Sequence, residues 1–199
     1  MRFRTLLLLT CCLLVPAARA DSVDDVPAPN TAPLRADIYS LEILKSKRQL
    51  LVKQGSRVAR RYTAAVGSGG LGDKRIRGDH KTPVGVYYIT GFNDESSFDL
   101  FMRLNYPSLK DGFFGLKRAL ISRSEFDRIV DAQRQDALPP QDTPLGGAIG
   151  IHGIGEETAD RLEIHRLLDW TQGCIALTNR EIRELRGFVD IGTKVVIRE

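Results

Sequence analysis

From position 37 the chain alternates apolar and polar residues in short blocks separated by polar turns. Ile38, Leu41 and Ile43 precede a turn at Lys45 to Arg48. Leu50 to Val52 precede a second turn at Gln54-Gly55-Ser56, and a third block runs from Val58 to Val66. Alternation with a period of two and tight polar turns predicts an antiparallel meander. The glycine-rich stretch "GSGGLGDKRIRGDHKTP" is loop, and Val84 to Thr90 is a strand rich in β-branched and aromatic residues. Ser124 and Asp127, three apart, predict the start of a helix that runs to about Gln133. "ALPPQDTPLGG" is loop, and "AIGIHG" is a short buried strand. Thr178 and Glu181 repeat the capping pattern ahead of Ile182, Leu185, Phe188 and Val189, a helix ending near Asp190-Ile191-Gly192, and "TKVVIRE" is a final strand. The aromatics of the 92–146 stretch fit either the core or a substrate wall, and the core is the preferred assignment. The pattern as a whole predicts a mainly β (α+β) single domain, sandwich-like or barrel-like, with a few short helices.

The first twenty residues obey different rules. Arg2 and Arg4 precede an apolar run from Leu6 to Val15, and Ala18-Arg19-Ala20 is a small-x-small site. This is the layout of a secretory signal peptide over 1–20, with a run too short to span a bilayer. Thr10 before Cys11 does not support lipidation at the Cys11-Cys12 pair. Residues 21–35, with three prolines in "DSVDDVPAPNTAPLR", make a flexible lead, and 36–199 make the domain. The expected location is outside the cytoplasm, in a periplasm or cell envelope, with no membrane span after cleavage. Loss of Arg2, Arg4 and Arg19 would take the formal charge from +4 to +1. With no basic cluster interleaved with aromatics, nucleic acid is not an expected partner.

Cleavage would also remove Cys11 and Cys12, leaving Cys174 alone. An unpaired cysteine in an oxidising compartment is bridged between chains, inert and buried, or reactive. Its neighbours favour reactivity. Gly173 permits a sharp turn and close approach of a ligand, and backbone N–H groups there could hold an oxyanion. A thiol needs a nearby base, since only a few per cent is thiolate near neutral pH. His152, ending the strand "AIGIHG" beside Gly153, is the first choice of base, and His165 in "LEIHRLLDW" is the second. A zinc site from His80, His152, His165 and Cys174 lacks ligand spacing, so no metal is expected.

"IHG…TQGCIAL" resembles the active-site signature of the L,D-transpeptidase (YkuD-type) catalytic domain. "GDHKTPVGVYYI" is similar to that family's Gly-Asp-x-x-Thr-Pro-x-Gly segment at Gly78, Asp79, Thr82, Pro83 and Gly85. The resemblance covers roughly 36 to 197, in the same order. It implies Cys174 as the nucleophile and His152 as the proton donor and acceptor. It also implies turn or oxyanion roles at Gly173 and Gly153, and a substrate groove drawing on Thr171, Gln172, His165, Arg166 and Trp170. Three departures are visible. Gln172 stands where many members have a second histidine, Ala176 where many have arginine or asparagine, and the His152–Cys174 interval is longer than is common, with an insert before the cysteine. The implied activity is cysteine-dependent transfer between peptidoglycan stem peptides by a monomer without a cofactor. A hydrolytic member and a non-enzymatic wall-binding module are the alternatives.

Overall fold

The computed structural model describes residues 38–199; the expected signal peptide and lead segment lie outside them. The meander forms as the alternation requires, with β1 (Ser40–Leu44), β2 (Gln49–Gln54) and β3 (Arg57–Thr63) paired antiparallel. Next come β4 (Gly85–Ser96), β5 (Asp99–Leu104), β6 (Gly150–His152), β7 (Ile175–Ala176) and β8 (Lys194–Arg198). They form one eight-stranded mixed sheet in the order β3-β2-β1-β8-β4-β5-β6-β7. Strand β4 pairs with β8 over Gly85–Tyr88 and with β5 from Ile89 onward. A register shift between Ile89 and Gly91 lets it pass from one half of the sheet to the other. Two isolated bridges, Ala65 to Ala176 and Gly67 to Thr171, tie the segment after β3 to the far edge. The sheet curls on itself without becoming a closed barrel.

The inward positions supply the core. Leu41, Ile43, Leu50 and Val52 meet Tyr87, Met102, Ile151, Val195 and Ile197, all nearly inaccessible. Among the described residues four α-helices accompany the sheet: α1 (Leu109–Lys117), α2 (Arg123–Arg134), α3 (Ala159–Leu167) and α4 (Asn179–Arg186). Helix α4 starts at the predicted capping box. Thr178 Oγ1 accepts from the Glu181 N–H, and the Glu181 carboxylate accepts from the Thr178 N–H. Its Ile182 and Leu185 are buried, but it stops at Arg186, earlier than its apolar spacing suggests. Helix α2 starts two residues before the expected Ser124–Asp127 pair. The equally spaced Ser122 and Glu125 form the capping box, while Asp127 pairs with Arg123 one turn back at 2.9 Å. A glutamate reaches the cap N–H that the shorter aspartate serves less well. Helices α1 and α3 and strand β5 were not anticipated. Helix α3 leaves Leu162, Ile164 and Leu167 exposed, so no apolar stripe announces it.

Arg48 joins the meander to the long interval before Cys174. It has a left-handed backbone (φ 50°), and its guanidinium donates to the carbonyls of His165, Arg166 and Leu168 at 2.7, 2.7 and 2.8 Å. It also donates to Asp169 Oδ1 at 3.0 Å, an oxygen that accepts from the Val66 N–H as well. One planar cation thus anchors the end of α3 and the approach to Trp170. Replacing Arg48 with alanine should cost about 2–3 kcal/mol in urea unfolding, and lysine should restore less than half, since an ammonium cannot span the same carbonyls.

Candidate active site

The site follows from the register of the two shortest strands. In the parallel β6–β7 ladder, Ile151 lies beside Ile175 and His152 beside Ala176. One step back, Cys174 falls beside Gly150. Side chains alternate along a strand, so His152 and Cys174 emerge on the same face as diagonal neighbours. Gly150 has no room for a side chain, because Phe101 and Met102 fill the space: a Cβ would lie 2.5 Å from Met102 O and Phe101 Cζ.

His152 is held closely. Its Nδ1 donates to the Gly153 carbonyl at 2.6 Å, which leaves Nε2 as the basic nitrogen. Phe98 and Phe101 lie over the ring with centroids 4.3 and 6.1 Å away, and Trp170 meets it edge-on at 6.0 Å. Asn179 secures the turn after the histidine. Its amide oxygen accepts from the Ile154 and Gly155 N–H groups at 3.0 and 3.2 Å, and its Nδ2 donates to Gly155 O at 2.6 Å.

The turn carrying Cys174 is built by Thr171 and Gly173. The Thr171 hydroxyl accepts from the Gly173 N–H at 3.1 Å and donates to the Cys174 carbonyl at 2.7 Å. Gly173 has φ +127°, and a Cβ there would meet Lys81 O at 2.8 Å, so the residue must be glycine. Thr82 supports the turn from behind. Its Oγ1 accepts from the Gly67 N–H at 2.8 Å and lies 3.4 Å from Cys174 O, to which it donates. Asp79 holds the loop that carries Thr82, accepting from the N–H groups of Arg75, Ile76 and Lys81 and from Lys74. The Thr-Pro segment is therefore scaffolding for the cysteine turn.

These bonds correct two expected roles. The N–H of Gly153 donates to Leu100 O at 3.1 Å and its carbonyl holds His152, so Gly153 orients the imidazole and offers no free N–H for an oxyanion. The N–H of Gly173 is engaged within its own turn.

Cys174 and His152 line one cavity of about 580 Å³, together with Trp170, Thr171 and Gln172. His165 and Arg166 are not brought there. They line a separate cavity with Thr63, Thr178 and Glu181, so the expected groove loses both. His165 is buried in that position. Phe98 and Phe101, expected in the core, instead form a wall of the Cys174 cavity, and Phe98 is 38% exposed. Lys74, Arg77 and His80 also line it. Their only sequence signal was proximity to the Gly-Asp-x-x-Thr-Pro segment.

The electrostatics describe a neutral resting pair. Desolvation raises the Cys174 thiol to about 11, against smaller opposing contributions from the Gly150 N–H and Lys74. The thiol donates to Ala148 O at 3.4 Å. Desolvation lowers the His152 imidazole; its bond to the Gly153 carbonyl opposes this and His165 adds to it. A neutral thiol and a neutral imidazole on one face of the ladder suit deprotonation by a general base during attack, in contrast to a standing thiolate–imidazolium pair.

The model of the L,D-transpeptidase catalytic domain (YkuD) matches residues 38–197. The chain belongs to this family. Among solved structures it is similar to the helical cell shape determining protein Pgp2 from Campylobacter jejuni, at 24% identity and TM-score 0.53 over 81% of this chain and 48% of that one. The K307A mutant of Pgp2 gives a TM-score of 0.54, with 47% of that chain covered. An L,D-transpeptidase from Mycobacterium smegmatis follows at 10% identity and TM-score 0.48, with 81% and 59% covered. The chain thus spans about half the length of the Pgp2 chains it resembles. No curated protein matches it.

A thiol near 11 is ionised to roughly one part in ten thousand at pH 7. The rate of Cys174 alkylation by iodoacetamide should therefore rise about tenfold per pH unit from 7 to 10. A plateau beginning below pH 9 would indicate a preformed ion pair instead.

Proposed function

We propose that this chain is an exported cysteine-dependent L,D-transpeptidase acting on peptidoglycan stem peptides. The observation that carries the reading is the placement of Cys174 and His152 on one face of the β6–β7 ladder, lining one cavity, in a chain of this family. Export is supported by the signal-peptide layout of residues 1–20 and by the single cysteine that cleavage would leave.

In the proposed reaction His152 Nε2 takes the Cys174 proton as sulfur attacks the carbonyl at the L-centre of the diamino acid in the stem. The C–S bond forms, the C–N bond to the terminal D-alanine breaks, and His152 returns its proton to the leaving amine. The product is a thioester on Cys174. An acceptor amine then attacks that carbonyl, loses its proton to His152, and expels the sulfur, which regains the proton. Phe98, Phe101 and Trp170 surround the imidazole with apolar surface, which limits water and favours transfer over hydrolysis.

Cys174→Ala should abolish D-alanine release from tetrapeptide stems while melting like the wild type. His152→Gln should lower kcat by about 10²–10⁴. Intact-mass measurement should find a carbapenem adduct on the wild type and none on Cys174→Ala. Chromatography of muropeptide products distinguishes the acceptor. Cross-linked dimers support transfer, whereas tripeptide monomers alone would make the protein an L,D-carboxypeptidase. Turnover retained by Cys174→Ala would end the proposal.

A further inference from the structure

Two permanently charged cations, Lys74 and Arg77, line the Cys174 cavity together with His80, and among the described residues no aspartate or glutamate lines it with them. Lys74 is neutralised where it stands. It is 4% exposed, and its ammonium donates to Asp79 Oδ1 at 2.8 Å and to Ile76 O at 2.9 Å. Arg77 is different. Its guanidinium donates through Nη2 to Thr143 O at 3.1 Å and takes part in no ion pair among the described residues. The fork has five N–H donors, so most remain available.

The backbone of Arg77 is also braced. Its N–H donates to Pro144 O at 2.8 Å. Gly146, with φ +88°, passes so close that a Cβ there would lie 3.4 Å from Arg77 Cα. The loop bearing Arg77 and the turn at 143–147 are thus latched together along the same cavity. No positive side chain comes from the strand after the nucleophile, because position 176 is a fully buried alanine between His152 and Ala65.

A guanidinium on a braced backbone, with one side-chain bond and no acidic partner among the described residues, at the edge of the cavity lined by Cys174, matches a planar anion that can take two parallel N–H bonds. We propose that Arg77 is the specificity-determining residue that receives a carboxylate of the donor stem peptide. The carboxylate is either the terminal one of the leaving D-alanine or one on the side chain of the diamino acid. This rests on the transpeptidase reading and adds to it the residue that orients the donor.

The test separates this inference from the reading beneath it. The full-length Cys174→Ala protein is titrated calorimetrically with a free tetrapeptide stem, with its C-terminal amide, and with its side-chain amide. Roughly tenfold weaker binding of one amide is expected, and the affected amide identifies the carboxylate. Adding Arg77→Ala should remove that difference, Arg77→Lys should retain part of it, and His80→Gln should leave it intact, all with unchanged melting. In the otherwise wild-type enzyme Arg77→Ala should raise KM for the free stem with little change in kcat. Equal discrimination with and without Arg77, or no peptide binding at all, overturns the inference. Absence of D-alanine release by the wild type from any stem overturns the transpeptidase reading, whatever the titrations show.

Discussion

The proposed chemistry depends on a parallel ladder only two residues deep. Because β6 and β7 run side by side in the register of Ile151 with Ile175, residues 152 and 174 share a face. A shift of one residue would turn the cysteine to the opposite side of the sheet. Gly150 permits the close approach of Phe101 and Met102, since a Cβ there would lie 2.5 Å from Phe101 Cζ and Met102 O. So short a ladder has little stability of its own. Its register is held from outside, by β5 on one side and by the Ala65–Ala176 bridge on the other.

The surrounding loops are held by charged side chains used as multidentate clamps. Arg48 gathers three carbonyls and a carboxylate from the 165–169 segment. Asp79 gathers three backbone N–H groups and Lys74. Although desolvation pushes its carboxyl upward, these bonds and the ammonium prevail and hold it below the ordinary carboxylate range. A carboxyl depressed in the folded state stabilises the protein above its unfolded pKa, a contribution lost as pH falls through the folded value. Glu199 accepts twice from the Gly72 N–H and pairs with the buried ammonium of Lys45. Polar loops that cannot bury apolar surface are ordered here by satisfying many backbone groups per side chain.

This division of labour explains the chemistry of the cleft. The same enclosure raises the cysteine thiol and lowers the histidine, which favours the neutral form of each. The residues that tune the site do not come from its own strands. Lys74 and Arg77 come from the glycine-rich loop, Phe98 from the β4–β5 connection and Phe101 from β5 itself.

The amino-acid order by itself determined the meander, the strand into His152, the capping of α4 and the final strand. Each of these depends on local periodicity or on a three-residue side-chain reach that needs no distant partner. It also singled out Cys174 with His152, because a glycine-preceded lone cysteine and a strand-ending histidine are visible in one dimension. The tertiary structure alone decided that Gly153 turns its carbonyl to the imidazole and that Gly173 spends its N–H on Thr171. It alone decided that His165 and Arg166 face another cavity, and that Phe98 and Phe101 wall the cleft instead of filling the core. Helix α3 exposes its leucines and so carries no periodic signal, and its place is set by Arg48, more than a hundred residues earlier in the chain. Side-chain direction within a loop is fixed by hydrogen bonds to residues remote in sequence, and no local pattern encodes them.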